Sequence, residues 1–226
     1  MEVNSILVAA HELKAPLAVM RQLALSFDGL DEQNETLRSE IVNVSERAIK
    51  QVNDLTKIGR LDDGLFEMEP VVVRAVCDDV TRELAYLFRE NKKKLKVKYK
   101  NRARLVVANR DLLYSVIYNF LLNAIHYSDT EMCSELVVSE KHGKVMVSIR
   151  DYGPALPMDV WKEMKRGFVE KPVSIAMRPG SSGLGLYIAS KFSRYMHANV
   201  GAVRHRDGTT FYVEVPISRQ ASLFGV

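Results

Sequence analysis

The chain has 226 residues, of which 47% are hydrophobic and 27% charged, a composition typical of a folded globular protein rather than a disordered segment. Its net charge of +4, from 32 basic and 28 acidic residues, is too balanced to indicate a nucleic-acid partner. The two cysteines, Cys77 and Cys133, have no metal-binding spacing, which argues against a structural zinc site or a disulfide framework.

The sequence has no membrane-spanning run of apolar residues and no signal-peptide pattern at Met1-Glu2-Val3-Asn4. We therefore expect a cytoplasmic chain without a membrane segment. Because the helical pattern begins only a few residues from the start, the chain is also compatible with the cytoplasmic part of a longer, membrane-anchored protein.

Residues 1–60 are predicted to form a hairpin of two helices joined by the turn residues 28–31. Apolar residues in both helices recur at alternating spacings of three and four, the pattern of a coiled-coil seam. In the first helix the seam is Ile6, Ala10, Leu13, Leu17, Met20, Ala24 and Phe27, and in the second it is Leu37, Ile41, Val44, Ala48, Gln51, Leu55 and Ile58.

A single pair of helices leaves much of each apolar stripe uncovered. A second copy of the chain would cover both stripes in a dimeric four-helix bundle, so we expect a homodimer. The alternative is that the helix pair packs on the domain that follows it.

A linker at 61–69 is predicted to separate the hairpin from a second domain at 70–226. Strands are predicted at 71–73, 95–99, 136–138, 145–149, 200–203 and 210–215, and helices at 75–90, 111–127 and 184–196. The last four strands form two hairpins, across His142-Gly143 and Asp207-Gly208. The pattern predicts an α+β protein whose second domain is an α/β sandwich, a mixed sheet with three helices on one face.

Eight basic residues lie between Lys92 and Arg104. They are compatible with a nucleic-acid patch, but alternation along the predicted strand puts Lys96 and Lys98 on one face. Lysines on an exposed strand also oppose edge-to-edge aggregation. A solvated face is the favoured interpretation.

His11 is a candidate nucleophile. It follows the seam residue Ala10, at the flank of the apolar stripe, where its ring can reach solvent. The adjacent Glu12 can orient the imidazole and accept its proton. Pro16 removes the helix hydrogen bond to the Glu12 carbonyl and is expected to kink the helix nearby.

Asn119 and Asn123 are four residues apart and so share one face of a predicted helix. Amide oxygens are suitable ligands for Mg²⁺, and a buried asparagine without partners is costly. The pair therefore indicates a ligand or metal site, with Asn123 as the metal ligand and Asn119 beside it. A helix cap or solvent-facing amides are the alternative.

Three further segments are weak signals by themselves. Asp151 and Gly153 follow a strand end, where a carboxylate can accept a hydrogen bond from a purine amine and a glycine lets the backbone approach the base. The glycine-rich segment 180–186 opens a helix, whose amides and dipole favour a phosphate. Gly208-Thr209 alone is only part of a hairpin turn.

In this order, the segments resemble the motifs of bacterial two-component sensor histidine kinases. The resemblance covers nearly the whole chain: a dimerisation and histidine-phosphotransfer hairpin followed by a Bergerat-fold ATP-binding domain, shared with chaperone, gyrase and mismatch-repair ATPases. The matching segments are His11 to Leu17 (H box), Asn119 to Ser128 (N box), Asp151 to Gly153 and Gly183 to Leu186 (glycine boxes), and Gly208 to Thr210 (terminal box).

The resemblance implies an ATP-dependent kinase that autophosphorylates His11, with Glu12 assisting proton removal, and then phosphorylates a response-regulator aspartate. Mg²⁺ and ATP are the implied cofactors, with Asn123 on the metal. The nucleotide-binding residues that the motifs imply are Asn119, Asn123, His126, Tyr127, Asp151, Gly153, Gly183, Leu184, Gly185 and Thr209.

The chain departs from the family pattern in four places. Ala15 stands where many relatives carry threonine or asparagine, which predicts weak phosphatase activity. His126 replaces the usual lysine or arginine, and Ala155, after Pro154, replaces a glycine. The phenylalanine box has only partial substitutes in Trp161 and Phe168. Candidates for a lid cation at the γ-phosphate are Lys165, Arg166 and Arg178.

These departures keep two alternatives open. The chain could be a catalytically impaired ATP-binding scaffold that dimerises, although the His11-Glu12 pair argues against this. It could also be a conformational ATPase of the chaperone or gyrase kind. Those enzymes carry a water-activating glutamate where this chain has Asn119, so steady hydrolysis is expected to be slow.

Overall fold

A computed structural model of the chain describes residues 2–27, 32–100, 105–129, 132–158, 161–162 and 184–218, with the side chains of 2–12, 16, 32 and 33 left out. It forms two compact units, Met1–Leu65 and Phe66–Val226. The boundary between the units falls inside the segment 61–69 that the sequence indicates as a linker.

The first unit is a helical hairpin. Helix α1 runs over Glu2–Leu25 and helix α2 over Glu32–Gly59, and the two pack along each other. Their contact buries Ala24 and Val52, and an ion pair joins Arg21 Nε to Glu46 Oε1 at 2.8 Å. A 3₁₀ turn over Leu61–Asp63 follows α2.

Much of the predicted apolar seam stays uncovered in the single chain. Within the described side chains of this unit, the exposed fractions run from 39% to 59% for Leu13, Met20, Phe27, Leu37, Ile41 and Val44. Such a run of exposed large apolar residues is costly in water unless another surface covers it.

The second unit consists of seven strands and three helices in the part of the chain that the structure describes. The elements in order are β1 (Glu69–Val72), α3 (Val73–Glu90), β2 (Lys94–Tyr99), β3 (Leu105–Ala108), α4 (Arg110–Tyr127), β4 (Cys133–Lys141), β5 (Lys144–Arg150), α5 (Leu184–Tyr195), β6 (Asn199–His205) and β7 (Gly208–Pro216).

Five of these strands form a mixed sheet in the order β2-β4-β5-β7-β6. Strand β2 pairs parallel with β4, and the other neighbours are antiparallel. The two predicted hairpins are present, β4 with β5 and β6 with β7. Strands β1 and β3 form a separate antiparallel pair, and β3 was not predicted from the sequence.

The core lies between this sheet and the helices α3, α4 and α5. Alternate residues of the central strands are buried, among them Val147, Ile149 and Val213. They face helix α4, which contacts both β5 and β7 and is buried along most of its length. The α+β class, the mixed sheet with its helices and the helical hairpin are therefore confirmed.

The start of α4 is fixed by its cap. Asn109 Oδ1 accepts a hydrogen bond from the Leu112 backbone N–H at 3.1 Å, which satisfies one of the free amides at the helix start. The Asn109 side chain also donates to the Glu67 carbonyl at 3.0 Å. Helix α4 thereby begins at a fixed point, which sets the positions of the asparagines farther along it.

Candidate nucleotide-binding site

The first part of the site is the contact between α4 and the start of α5. Asn119 is buried, with 5% of its surface exposed, and its Nδ2 donates to the Ser115 carbonyl at 2.8 Å. Its Oδ1 lies 2.8 Å from the position that a Cβ atom would take at Gly185. A side chain at Gly185 would therefore collide with Asn119, and only glycine allows this approach. The structure brings two of the predicted motifs together here.

Asn123 lies one turn farther along α4 and is half-buried. Its side chain makes no hydrogen bond to another described residue, so its amide oxygen is available to a ligand. No group of three His, Cys, Asp or Glu side chains in the described ranges could hold a metal. Mg²⁺ commonly takes most of its ligands from phosphates and water, so a single amide oxygen such as that of Asn123 is a suitable protein ligand for this ion.

The end of α4 carries two aromatic residues of the predicted site. His126 is exposed and Tyr127 is half-buried, with their rings edge to face at a centroid distance of 6.4 Å. The helix ends at Tyr127, and Ser128 N–H closes it by donating to the Ala124 carbonyl at 3.0 Å. These rings therefore lie at the C-terminal end of the helix that carries the asparagines.

Asp151 follows the last residue of β5 and is 2% exposed. Its Oδ1 accepts a hydrogen bond from the Thr209 N–H at 2.9 Å, and its own N–H donates to the Thr209 carbonyl, also at 2.9 Å. Gly208, with φ +134°, packs so closely that a Cβ there would lie 2.2 Å from the Asp151 carbonyl oxygen. The Asp151 carboxylate is thus fixed by the hairpin between β6 and β7.

Gly153 packs against the end of α4. A Cβ at this residue would lie 1.7 Å from the Tyr127 carbonyl oxygen. The neighbouring backbone is joined to the same end of the helix, because Asp129 N–H donates to the Tyr152 carbonyl at 2.6 Å. We expected this glycine to let the backbone approach a base. The close approach that the structure contains is to Tyr127, and it joins the first glycine box to the N box.

Thr209 contributes a buried hydroxyl. The residue is 1% exposed, and among the described residues its Oγ1 has no hydrogen-bond partner. A buried hydroxyl without a partner is costly and is a common sign of a ligand or water position. Thr209 was only weakly indicated by its motif, because a Gly-Thr hairpin turn is common.

Arg150 was not predicted as a site residue from the sequence, but its guanidinium contacts the backbone of Asp151. Its Nη1 donates to the Asp151 carbonyl at 2.6 Å and its Nη2 to Asp207 Oδ1 at 2.7 Å. Burial and the Arg150 charge lower the pKa of the nearby His205, although the Asp207 carboxylate acts in the opposite direction. A charged residue at the end of a buried strand was the available signal for Arg150.

Other predicted site residues are outside these contacts. Leu184, half-buried, is the first residue of α5. His11 and Glu12 lie in α1, with their side chains outside the described set, and Ala15 is exposed on the same helix. Gly183, the phenylalanine-box substitute Phe168 and the lid-cation candidates Lys165, Arg166 and Arg178 lie outside the described residues. None of the described helices is long and apolar enough to span a membrane.

Residues 108–219 match the family described as histidine kinase-, DNA gyrase B-, and HSP90-like ATPase. Over 92% of its length the chain is 25% identical to the probable sensor histidine kinase TcrY of Mycobacterium tuberculosis, of which it covers 44%. It is 26% identical to the adaptive-response sensory kinase SasA of Synechocystis, with 93% of the chain and 58% of that protein covered. Residues 108–219 therefore form a domain of this ATPase family, and the chain as a whole is similar to the catalytic core of sensor histidine kinases.

The chain is also 23% identical to the hybrid signal transduction histidine kinase K of Dictyostelium discoideum, of which it covers 19%. It spans less than two thirds of each of these three relatives, at 19%, 44% and 58% of their lengths.

Solved structures share the fold of this chain. Full-length ShkA in complex with AMPPNP matches it with a TM-score of 0.68 at 22% identity, over 95% of this chain and 46% of that one. The Acinetobacter baumannii histidine kinase AdeS matches with a TM-score of 0.61 at 15% identity, over 92% and 98% of the two chains.

Proposed function

We propose that the chain is an ATP-dependent protein histidine kinase that phosphorylates its own His11 and donates the phosphoryl group to an aspartate of a response-regulator receiver domain. The observation that carries this proposal is the convergence of separate motifs on one domain. Asn119 meets Gly185, Gly153 meets the end of α4, and Asp151 exchanges hydrogen bonds with Thr209. These contacts join the segments whose spacing in the sequence indicates a nucleotide site.

The reaction is a phosphoryl transfer from ATP to an imidazole. A ring nitrogen of His11 forms a bond to the γ-phosphorus as the bond to the bridging oxygen breaks, and ADP leaves. The imidazole proton passes to Glu12, the adjacent carboxylate. Transfer of this kind depends mostly on positioning and charge neutralisation, so the site needs no further covalent group.

The phosphate end of the nucleotide is assigned to α4 and the start of α5. Mg²⁺, held by Asn123 with Asn119 beside it, would neutralise phosphate charge. The backbone amides of Gly183, Leu184 and Gly185 lie at the start of a helix, a position that favours an anion. Tyr127 and His126 are assigned to nucleotide contacts at the C-terminal end of α4, within one turn of Asn123.

The base end is assigned to Asp151 and Thr209. The Asp151 carboxylate accepts a hydrogen bond from the adenine 6-amino group, while its Oδ1 is already held by the Thr209 N–H. The Thr209 hydroxyl, which has no hydrogen-bond partner among the described residues, supplies a second polar group beside it. A fixed carboxylate and a buried hydroxyl are suited to reading one edge of a purine.

The helical hairpin is proposed to dimerise. We assign residues 1–60 to dimerisation and phosphotransfer, 61–69 to a linker and 70–226 to ATP binding. Dimerisation would cover the exposed apolar seam, including Ile41 and Val44, in a four-helix bundle. The double variant Ile41→Glu, Val44→Glu should sediment as a monomer and keep its ATP affinity. A double variant that still sediments as a dimer would contradict the proposed interface.

Two finer assignments follow from the family pattern. Because exposed Ala15 lacks an amide or hydroxyl that could orient a water, we infer weak phosphatase activity toward the phosphorylated response regulator. We also assign the chain to the cytoplasm, as the cytoplasmic part of a longer sensor. Both follow from the family resemblance and from the residues present.

The direct test is autophosphorylation with Mg·ATP labelled at the γ-phosphate. Wild type should acquire label that is labile in acid and stable in base, and His11→Gln should acquire none. His142→Gln is the matched control, because His142 is exposed in the turn between β4 and β5 and should leave labelling unchanged.

Two other outcomes would contradict the proposal, one for the kinase activity and one for His11 as the phosphorylated residue. Wild type that binds ATP with micromolar affinity and stays unlabelled would support an ATP-binding scaffold instead, a reading for which Ala155 in the first glycine box is the supporting feature. Label that persists in His11→Gln would place the phosphorylated residue elsewhere.

A further inference from the structure

Arg150 contacts three parts of the proposed base site at once. Its guanidinium donates from Nη1 to the Asp151 carbonyl at 2.6 Å and from Nη2 to Asp207 Oδ1 at 2.7 Å. Its Cζ lies 4.4 Å from the centroid of the Tyr152 ring. One side chain therefore connects the segment after β5 to the hairpin turn before β7.

The guanidinium is far less exposed than the carboxylate that it pairs with. The Arg150 side chain is 14% exposed, whereas that of Asp207 is 67% exposed. A surface ion pair of this kind contributes little by itself, since the exposed partner is screened by water. The hydrogen bond to the Asp151 carbonyl must therefore contribute more than the ion pair to holding the segment after β5 in place.

Strand pairing alone does not need this side chain. Arg150 is already paired with Thr210 in the ladder between β5 and β7, and the bonds between Asp151 and Thr209 extend that ladder by one residue. The guanidinium adds a constraint on the peptide that follows Asp151. It also packs against Gly208, where a Cβ would lie 2.7 Å from Nη1.

We propose that Arg150 is a positioning residue that gives the nucleotide site its preference for adenine over guanine, by holding the Asp151 backbone and thereby the direction of its carboxylate. This inference rests on the proposed function, in which Asp151 reads the base. Arg150 does not touch the nucleotide and acts only through Asp151.

The chemistry of the two bases makes this preference sensitive to position. Adenine carries an amino group at C6, which can donate to the carboxylate. Guanine carries a carbonyl oxygen there, which meets the carboxylate as acceptor against acceptor. A site built to bond one of these groups rejects the other because a buried polar group is left unpaired. A carboxylate that can turn away from the base loses that discrimination.

Lysine cannot replace the arginine in this arrangement. The planar guanidinium directs two N–H groups to two acceptors and stacks on an aromatic ring, whereas an ammonium is a single compact charge on a flexible stem. The variant Arg150→Lys therefore keeps the positive charge and removes the two directed N–H groups. It shows whether Arg150 acts through the geometry of its hydrogen bonds or only through its charge.

The experiment is calorimetric titration of the whole chain with Mg·ATP and with Mg·GTP. Arg150→Gln should weaken ATP binding about tenfold and leave GTP binding nearly unchanged, so that the ATP/GTP ratio falls about tenfold, as expected for loss of one well-oriented hydrogen bond to a charged group. The ATP/GTP affinity ratio of Arg150→Lys should lie between those of Arg150→Gln and wild type. Autophosphorylation should show a raised KM for ATP with kcat unchanged.

The matched control is Arg82→Gln, which removes a guanidinium from another Arg–Asp pair, with Asp79, on the exposed surface of α3. It should keep the wild-type affinities for both nucleotides. Asp207→Ala leaves the bond to the Asp151 carbonyl in place and should lower the ratio less than Arg150→Gln. If Arg150→Gln does not fold, Arg150→Lys and Asp207→Ala still test the prediction.

A merely structural role would lower the affinities for ATP and GTP by the same factor, and that result would overturn the inference. ATP/GTP affinity ratios in Arg150→Gln and Arg150→Lys equal to that of wild type would also overturn the inference. If all three proteins prefer ATP, the role of Arg150 is contradicted and the proposed kinase function is not. Wild type that binds neither nucleotide overturns the proposed function and this inference together.

Discussion

Asp151 and Thr209 bind each other through two hydrogen bonds, from Asp151 N–H to the Thr209 carbonyl and from Thr209 N–H to Asp151 Oδ1, each at 2.9 Å. Both residues are buried, with exposed fractions of 2% and 1%. The carboxylate therefore has a fixed direction without any nucleotide present. Preorganisation of this kind reduces the ordering cost that a ligand must overcome.

The unpartnered hydroxyl beside this pair leads to a first prediction. Thr209→Val removes a buried Oγ1 that has no partner among the described residues and keeps the side-chain shape. We expect the free energy of unfolding without nucleotide to rise by about 1 kcal/mol. ATP affinity should fall about tenfold, because the hydroxyl is lost to the ligand.

Urea unfolding and calorimetric titration measure the two effects separately. Thr209→Ser keeps the hydroxyl and serves as the control, with ATP affinity close to that of wild type. A Thr209→Val variant that is less stable than wild type and binds ATP normally would show that the hydroxyl is structural and has no part in the site.

The second prediction concerns Gly153. A Cβ there would lie 1.7 Å from the Tyr127 carbonyl oxygen, an overlap that only a backbone shift can relieve. Gly153→Ala should therefore lower the free energy of unfolding by about 3 kcal/mol or more. Urea unfolding followed by circular dichroism measures this change.

Gly143→Ala is the matched control. Nothing lies within 4 Å of a Cβ at Gly143, whose φ of +71° is the only obstacle to a side chain. That strain should cost about 1 kcal/mol. Equal losses of stability in the two variants would contradict the close packing of Gly153 on the end of α4.

The third prediction is that Gly185→Ala separates binding from stability. Within α5 an alanine gains about 1 kcal/mol of helix propensity, but its Cβ would lie 2.8 Å from Asn119 Oδ1. Asn119 must then move, so ATP affinity and autophosphorylation should fall about tenfold while the melting temperature changes little. Unchanged ATP affinity would exclude a role for the contact between Asn119 and Gly185.

Local patterns predicted most of the secondary structure. The hairpin between β4 and β5 could be predicted because residues 145–149 alternate and His142-Gly143 supplies a turn, with positive φ at both positions. The alternation of apolar and polar residues was less informative where the exposure of a side chain depends on the position of its strand in the sheet. Lys96 and Lys98 were expected on the solvated face of β2, which puts Val97 on the opposite face. Val97 is nevertheless 36% exposed, because β2 is an edge strand of its sheet.

Other features depend on partners far along the chain. Strand β3 has only four residues and is defined by its pairing with β1, about 35 residues earlier. The glycine at 153 could be picked out from its motif, but the reason for it, the Tyr127 carbonyl, lies in another element. The contacts of Arg150 likewise include Asp207, 57 residues away, and no local pattern indicates them.

The fourth prediction is a pH dependence caused by His205. Partial burial and the positive charge of Arg150 lower the pKa of this imidazole, and the Asp207 carboxylate offsets only part of the effect. The unfolded chain therefore binds a proton at His205 near pH 6.5, whereas the folded chain binds it only at lower pH. Because the unfolded state binds more protons in this window, the contribution of His205 to stability is lost as pH falls below about 6.5.

Urea unfolding of wild type and His205→Gln between about pH 8 and pH 5.5 measures this contribution. The free energy of unfolding of wild type should fall more steeply with decreasing pH than that of His205→Gln. Arg150→Gln removes one cause of the lowered pKa, so the His205 titration, followed by NMR, should move to higher pH in that variant. A wild-type curve parallel to that of His205→Gln would contradict the lowered pKa, and an unmoved titration in Arg150→Gln would leave burial as its only cause.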